Sequence, residues 1–98
     1  MIDDATQLVL ERENYAYTTL WDSLAVNQRK FLKGLASEPG KVQPFSSEFI
    51  GKHSLGSASN VQRVVDSLLE KDVIDRDNGS FLISDRFFRL WVQAVQLG

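Results

Sequence analysis

The hydrophobic residues of this chain recur with a helical period over most of its length. The clearest case is a set of valines and a leucine at i, i+3, i+4 and i+7, the spacing of one buried helical face: Val61, Val64, Val65 and Leu68. Capping and helix-breaking residues then set the approximate ends of five segments. The predicted helices cover Asp4 to Leu24, Asn27 to Ser37, Ser46 to His53, Ser57 to Lys71, and a last helix capped by Ser84 or Asp85 that runs through FFRLWVQAV.

A short β-hairpin is predicted between the last two helices. Its strands cover Val73 to Arg76 and Ser80 to Ile83, and Asp77-Asn78-Gly79 forms the turn, because Asn-Gly tolerates the positive φ that tight hairpin turns require. A further short strand is predicted over Lys41 to Gln43, beside the hairpin.

The order turn, helix, strand, turn, strand, helix is typical of a winged helix, which is a helix-turn-helix followed by a β-hairpin. The predicted fold class is therefore mostly α with a small β-hairpin, a winged helix with an extra N-terminal helix. Residues 1–24 form that N-terminal helix, and residues 25–98 form the winged-helix domain.

Composition narrows the class of protein. With 98 residues, the chain is long enough for one small domain. The absence of cysteine and the single histidine exclude a disulfide framework and a structural zinc site. No apolar run approaches the roughly 20 residues that span a bilayer, and the N-terminus carries acids where a signal peptide carries bases. We expect a soluble cytoplasmic protein with no membrane partner.

The sequence carries no recognisable catalytic motif. The GKHS stretch at positions 51–54 lacks the leading glycine of a phosphate-binding P-loop, because position 46 is Ser46, and it falls inside a predicted helix. His53 and Ser54 have no nucleophile elbow or oxyanion glycines beside them. The sequence therefore predicts no catalytic residue, no metal site and no cofactor in this chain.

DNA contact is the first binding hypothesis. The second helix of a helix-turn-helix places its N-terminal residues on base edges, and Asn60 and Arg63 have the donor chemistry for adenine and guanine. Two observations weigh against DNA contact: the net charge of −2, and the acidic residues Asp66 and Glu70 on the same face of this helix. The candidate DNA-binding residues are Asn60, Arg63, Ser59, Ser57, Lys52 and Arg76.

A protein interface is the second binding hypothesis. Apolar residues cover more than half of the circumference of the last helix, and a helix packed on one side needs a narrower stripe. Either the first helix and the core cover this whole surface, or part of it is an exposed patch for a partner. The candidate interface residues are Trp21, Phe87, Trp91 and Val95.

A family resemblance runs from about Leu20 to Val92. The stretches LWDSLAVNQRKFLKGLAS, FIGKHSLGSASNVQRVVDSLLEKDVI and FLISDRFFRLWV resemble the C-terminal domain of the archaeal-type ATPases, prokaryotic proteins within the P-loop AAA+/STAND group. Where this family often has Ser or Thr as a helix cap, this chain has Ala25. The positions that carry the resemblance are Leu24, Gln28, Gly56, Ser57, Leu69, Ile74, Asp85, Phe88 and Trp91.

The resemblance implies a non-catalytic module of a larger P-loop ATPase that contacts DNA or regulates the ATPase, whose nucleotide site lies outside these residues. The first helix would then connect to the helical lid of that ATPase. The implied partners are the ATPase core of the same protein and double-stranded DNA. The alternative is a docking or dimerisation module with no nucleic-acid role, whose partner is the core or a second copy of the chain.

Overall fold

The computed structural model describes residues 3–39 and 42–97. Helices dominate this part of the chain, and its two strands pair antiparallel. The predicted class, mostly α with one small hairpin, is therefore confirmed. In chain order the elements are α1 (Asp4–Asp22), α2 (Val26–Ser37), α3 (Ser47–Lys52), α4 (Ala58–Glu70), β1 (Ile74–Asp77), β2 (Ser80–Ile83), α5 (Arg86–Trp91) and a π-helix (Val92–Leu97).

Side-chain caps set the starts of α3, α4 and α5. The hydroxyls of Ser46 and Ser57 each accept a hydrogen bond, at 3.2 Å, from the backbone N–H three residues ahead. One carboxylate oxygen of Asp85 accepts from two N–H groups of the first turn of α5, at 2.8 and 3.3 Å. Of the two caps predicted for the last helix, Ser84 or Asp85, the structure selects the aspartate.

Helix α2 begins without a capping oxygen, because Ala25 occupies the cap position. Gln28 supplies the other half of the usual pair, since its Oε1 accepts from the Ala25 N–H at 2.8 Å. The helix therefore begins at Val26, one residue before the predicted start at Asn27. The start of α2 therefore lacks the side-chain bond that a Ser or Thr cap would supply and keeps the one that Gln28 makes.

The hairpin turn contains two residues. The strands pair from Ile74 with Ile83 to Asp77 with Ser80, so Asn78 and Gly79 alone form the turn. Their φ angles of 52° and 82° are those of a type I′ turn, whose twist matches the twist of the strands. The prediction placed Asp77 in the turn, and the structure places it in the ladder.

A third strand position lies beside the hairpin. Val42 forms an isolated antiparallel bridge with Phe81, with N–O distances of 3.1 and 2.9 Å. Of the predicted strand over Lys41 to Gln43, Lys41 lies outside the described residues. Gln43 adds a bond from its side-chain amide to the Ser80 hydroxyl at 3.0 Å.

The core lies where α2, α4 and the hairpin meet, with α5 packed beside it. The predicted inner face of α4 is confirmed, because all four of its apolar residues are buried. Burial of such side chains contributes roughly 1.5 to 3 kcal/mol each to the stability of the fold. Residues with 1% exposure or less are Phe31, Leu32, Ala36, Val61, Val65, Leu68, Ile74 and Val92.

Helix α1 packs against α5 through an aromatic cluster. The rings of Tyr17, Trp21, Phe88 and Trp91 lie 5.3 to 6.5 Å apart, centroid to centroid, in tilted, edge-on and stacked pairs. The N-terminal helix is thus held on the winged helix by large buried side chains.

The end of the chain differs from the prediction of one continuous last helix. From Val92 to Leu97 the backbone forms a π-helix. Its hydrogen bonds join residues i and i+5, so successive side chains are arranged around the axis differently from those of an α-helix. Val92, the first residue of the π-helix, is buried, and the Gln93 amide donates to the Ala36 carbonyl at 2.8 Å. In residues 3–39 and 42–97, no helix has the length and apolar character that crossing a membrane requires.

Candidate functional site

The turn between α3 and α4 determines how α4 is presented. Ser54 and Gly56 both have positive φ, at 55° and 85°. The side-chain amide of Asn60 donates to the Leu55 carbonyl at 3.2 Å, which ties the first turn of α4 back to this loop. The second helix of the motif is therefore fixed relative to the first by a loop geometry that favours glycine at position 56.

Four of the proposed DNA-binding residues lie together at the start of α4. Ser59 and Arg63 are exposed, and Ser57 is the helix cap. Asn60 is half-buried, and its amide is engaged in the loop, so part of its donor capacity is unavailable to a base. This side chain has a structural role that the sequence pattern did not indicate.

Lys52 lies on α3, and its charge is compensated within the domain. Its ammonium is 2.9 Å from Oε1 of Glu38, and His53 Nε2 is 3.3 Å from the same oxygen. The hydrogen bond from Lys52, followed by the one from His53, lowers the pKa of the Glu38 carboxyl, and the same carboxylate raises the pKa of Lys52. Contact with a phosphate would have to compete with this ion pair.

Arg76 is the basic residue of the wing. Its guanidinium carbon lies 5.5 Å from the centre of the Phe81 ring, in the geometry of a cation–π contact. Its neighbours in β1 are Asp75 and Asp77. A wing that follows a phosphate backbone needs excess positive charge, and here the acids outnumber the base.

The segment that contains α4 and the hairpin, here called the recognition surface, has a net negative charge. From Ser57 to Ser80 there are five acidic and three basic residues, a net charge of −2. On α4 itself, Asp66 also accepts a hydrogen bond from the Gln62 amide at 2.8 Å. The surface offers little of the electrostatic attraction on which nonspecific DNA affinity depends.

The four candidate interface residues are divided between core and surface. Trp21 and Trp91 are 5% and 2% exposed and pack inside the aromatic cluster, so the folded domain does not present them to a partner. Phe87 is half-buried beneath the Arg86 guanidinium, which lies 5.4 Å from the ring centre. Val95 is 54% exposed on the π-helix.

A pocket of about 200 Å³ beside α1, here called the α1 pocket, has no counterpart among the sites predicted from the sequence. Its apolar wall comes from three elements, and Lys71 also lines it. The sequence predicts Asp85 only as a possible helix cap, because no local pattern relates positions 17, 72 and 85. The other lining residues are Tyr17 and Leu20 from α1, Asp72 and Val73 from the α4–β1 turn, and Asp85 and Phe88 at the start of α5.

Tyr17 and Asp85 form the polar link across this pocket. The Tyr17 hydroxyl donates to Oδ2 of Asp85 at 3.1 Å. Burial, and then the hydrogen bond and charge of Asp85, raise the pKa of Tyr17 to about 12. The hydroxyl is therefore a neutral donor at physiological pH, beside a carboxylate.

One comparison with known proteins identifies a family. The sequence model of the family described as "Probable winged helix domain" matches residues 15–94. No curated protein and no solved structure matches the chain. The family match begins within α1 and ends within the π-helix, so it covers the helix-turn-helix, the hairpin and α5.

Proposed function

The chain belongs to the family of probable winged helix domains, and from this we propose that it is a non-catalytic module that docks on protein within a larger P-loop ATPase. The winged helix supplies the binding function, since such domains generally bind and seldom catalyse. The ATPase context rests on the resemblance between Leu20 and Val92. The partner we favour is the ATPase core of the same protein.

The observation that carries the proposal is the charge of the recognition surface. DNA affinity grows with the number of phosphates that Lys and Arg neutralise. In this domain Lys52 is paired with Glu38, and Arg76 stands between two aspartates. A protein partner imposes no such requirement for positive charge, and mixed polar surfaces are usual at protein interfaces.

DNA contact is the second candidate function, and one observation favours it. Arg63 is exposed in the second turn of α4, and within the described part of the chain no carboxylate pairs with it. Ser57 and Ser59 stand one turn away, where hydroxyls can reach a phosphate. This arrangement would assist a larger protein that already holds DNA.

The experiment is a titration of fluorescent duplex DNA into the purified chain at 50 and 200 mM salt, with Arg63→Glu measured in parallel. Docking on protein predicts no saturable binding at either salt concentration. If Lys52, Arg63 and Arg76 each neutralised one phosphate, affinity would fall by about 40-fold between the two conditions. A salt-dependent signal of that kind, abolished in Arg63→Glu, would overturn the docking proposal in favour of DNA contact.

A further inference from the structure

We propose that the α1 pocket receives one arginine side chain from the protein partner. This inference rests on the proposed docking function and specifies the chemistry of the contact. It uses surfaces that the DNA hypothesis does not involve: α1, the α4–β1 turn and the start of α5.

The size of the pocket favours a single side chain. Sites for small molecules and cofactors usually enclose about 300 to 1,000 Å³. The α1 pocket has a volume of about 200 Å³ and is partly open to solvent. A side chain presented from a partner's surface can fill such a space without being enclosed.

The wall of the pocket suits the aliphatic part of a long side chain. Leu20, Val73 and Phe88 line it, and they come from three separate elements. Lys and Arg place their methylene groups along apolar surface and keep the charged group at a polar edge. The pocket can therefore accommodate both the methylene groups and the charged end of such a side chain.

The acidic residues of the pocket provide the charge complement. Asp85 Oδ1 accepts from the Phe87 and Phe88 amides, and Oδ2 accepts from Tyr17, so one acceptor position on Oδ2 is free. Asp72 is exposed and, among residues 3–39 and 42–97, has no hydrogen-bond or ion-pair partner for its carboxylate. Two carboxylates from different elements thus lie beside one apolar wall.

Arginine fits this arrangement better than lysine. Its planar guanidinium presents several N–H donors at once, is weakly hydrated and packs on aromatic rings, whereas the ammonium is a compact and strongly hydrated charge. Lys71 also lines the pocket, so the net charge of its lining is −1. One incoming cation neutralises that charge.

The test is a titration of the ¹⁵N-labelled chain with N-acetyl-L-arginine methylamide, followed by NMR amide shifts. The matched probe is the citrulline analogue, which has the same length but no charge. We expect saturable shifts, in the millimolar range, at residues that line the α1 pocket, and none with citrulline. Equal shifts with both probes, or arginine shifts spread over all exposed acids, would overturn the proposal.

Two variants locate the contact. Asp72→Asn removes one carboxylate of the pocket and should weaken arginine binding by up to about fivefold, the upper range for a solvent-exposed ion pair. Asp75→Asn makes the same change in net charge on β1, outside the pocket, and should leave binding unchanged. Equal weakening in both variants would mean general electrostatic attraction and would contradict the pocket assignment.

Failure of this inference and failure of the docking proposal are distinguishable. Absence of arginine binding, together with absence of DNA binding, would reject the pocket and leave docking by another surface. DNA binding that depends on Arg63 would reject the docking proposal, whatever the arginine probe shows.

Discussion

The indole of Trp91 donates a hydrogen bond to Oδ1 of Asn14 at 2.8 Å, between residues 77 positions apart in the chain. Trp91 is 2% exposed, so its N–H has little access to water and depends on this acceptor. The bond joins α5 to a residue one position outside the range that the family model matches. The N-terminal helix is thereby part of the folded unit.

Replacing Asn14 should test that bond directly. Asn14→Ala leaves a buried donor without its partner, and we expect a loss of about 1 to 2 kcal/mol in the free energy of unfolding. Asn14→Asp keeps an acceptor oxygen at the same position, so its free energy of unfolding should fall by less than that of Asn14→Ala. Urea denaturation of the two variants provides the measurement, and equal losses would indicate that the acceptor is unimportant.

Two glycines should respond to alanine with opposite signs. A Cβ on Gly34 of α2 would lie 2.9 Å from Cζ of Phe49 and 3.0 Å from the His53 ring, whereas a Cβ on Gly51 of α3 meets nothing within 4 Å. Overpacking costs about 1 to 3 kcal/mol, against a gain of about 1 kcal/mol in helix propensity. Gly34→Ala should therefore destabilise the fold by about 1 kcal/mol.

Gly51→Ala is the matched control, because it has the same gain in helix propensity without the collision. It should stabilise the fold by up to about 1 kcal/mol. Thermal unfolding of the two variants and the wild-type protein under one set of conditions measures both changes in stability. Stabilisation by Gly34→Ala would show that α2 and α3 are less closely packed than the structure has them.

Alkaline pH should weaken the attachment of α1 through Tyr17. Its folded-state pKa of about 12 lies above the ordinary value of 10.0, so the neutral hydroxyl is favoured by folding. The resulting stabilisation is complete below pH 10 and is lost as the pH rises through about 12. Tyr17→Phe has no ionisable hydroxyl and should lack this loss.

The measurement compares the wild-type protein with Tyr17→Phe from pH 9 to 11.5. The difference in their unfolding free energies should shrink as the pH rises, since other groups titrate equally in both proteins. A constant difference across that range would contradict the raised pKa. Absorbance of tyrosinate in the two proteins gives an independent titration curve for Tyr17.

Acid should release the link between α2 and α3. The pKa of Glu38 is lowered by its bonds to Lys52 and His53, so its stabilising contribution is present above the ordinary value of 4.5 and is lost as the pH falls through the lowered one. Glu38→Gln should therefore lose less stability than the wild-type protein between pH 5 and pH 3. Parallel slopes over that interval would exclude a contribution from this carboxylate.

Local chemistry made much of the fold predictable. Caps, turn residues and apolar spacing act over four residues or fewer, so the sequence was sufficient to place the inner face of α4, the Ser57 cap and the Asn-Gly pair of the hairpin turn, although not the position of Asp77. The element order then predicted the winged helix, and the structure and the family match agree with it.

The candidate site was less predictable, because a residue type shows which bonds a side chain can make and not which ones it makes. Asn60 and Lys52 were selected for their donors, and the folded chain engages those donors with the Leu55 carbonyl and Glu38. Trp91 was selected as an interface residue from the width of an apolar stripe, and α1 covers it.

Sequence alone therefore determined the approximate positions of α1 to α5, the hairpin and the class of domain, because these follow from interactions between near neighbours in the chain. It did not indicate the π-helix over Val92–Leu97. Tertiary packing decided which polar groups are already paired, which aromatic residues are buried and where the α1 pocket lies. Tyr17, Asp72 and Asp85 come from distant parts of the chain, and only the packing of α1 on the winged helix brings them to one place.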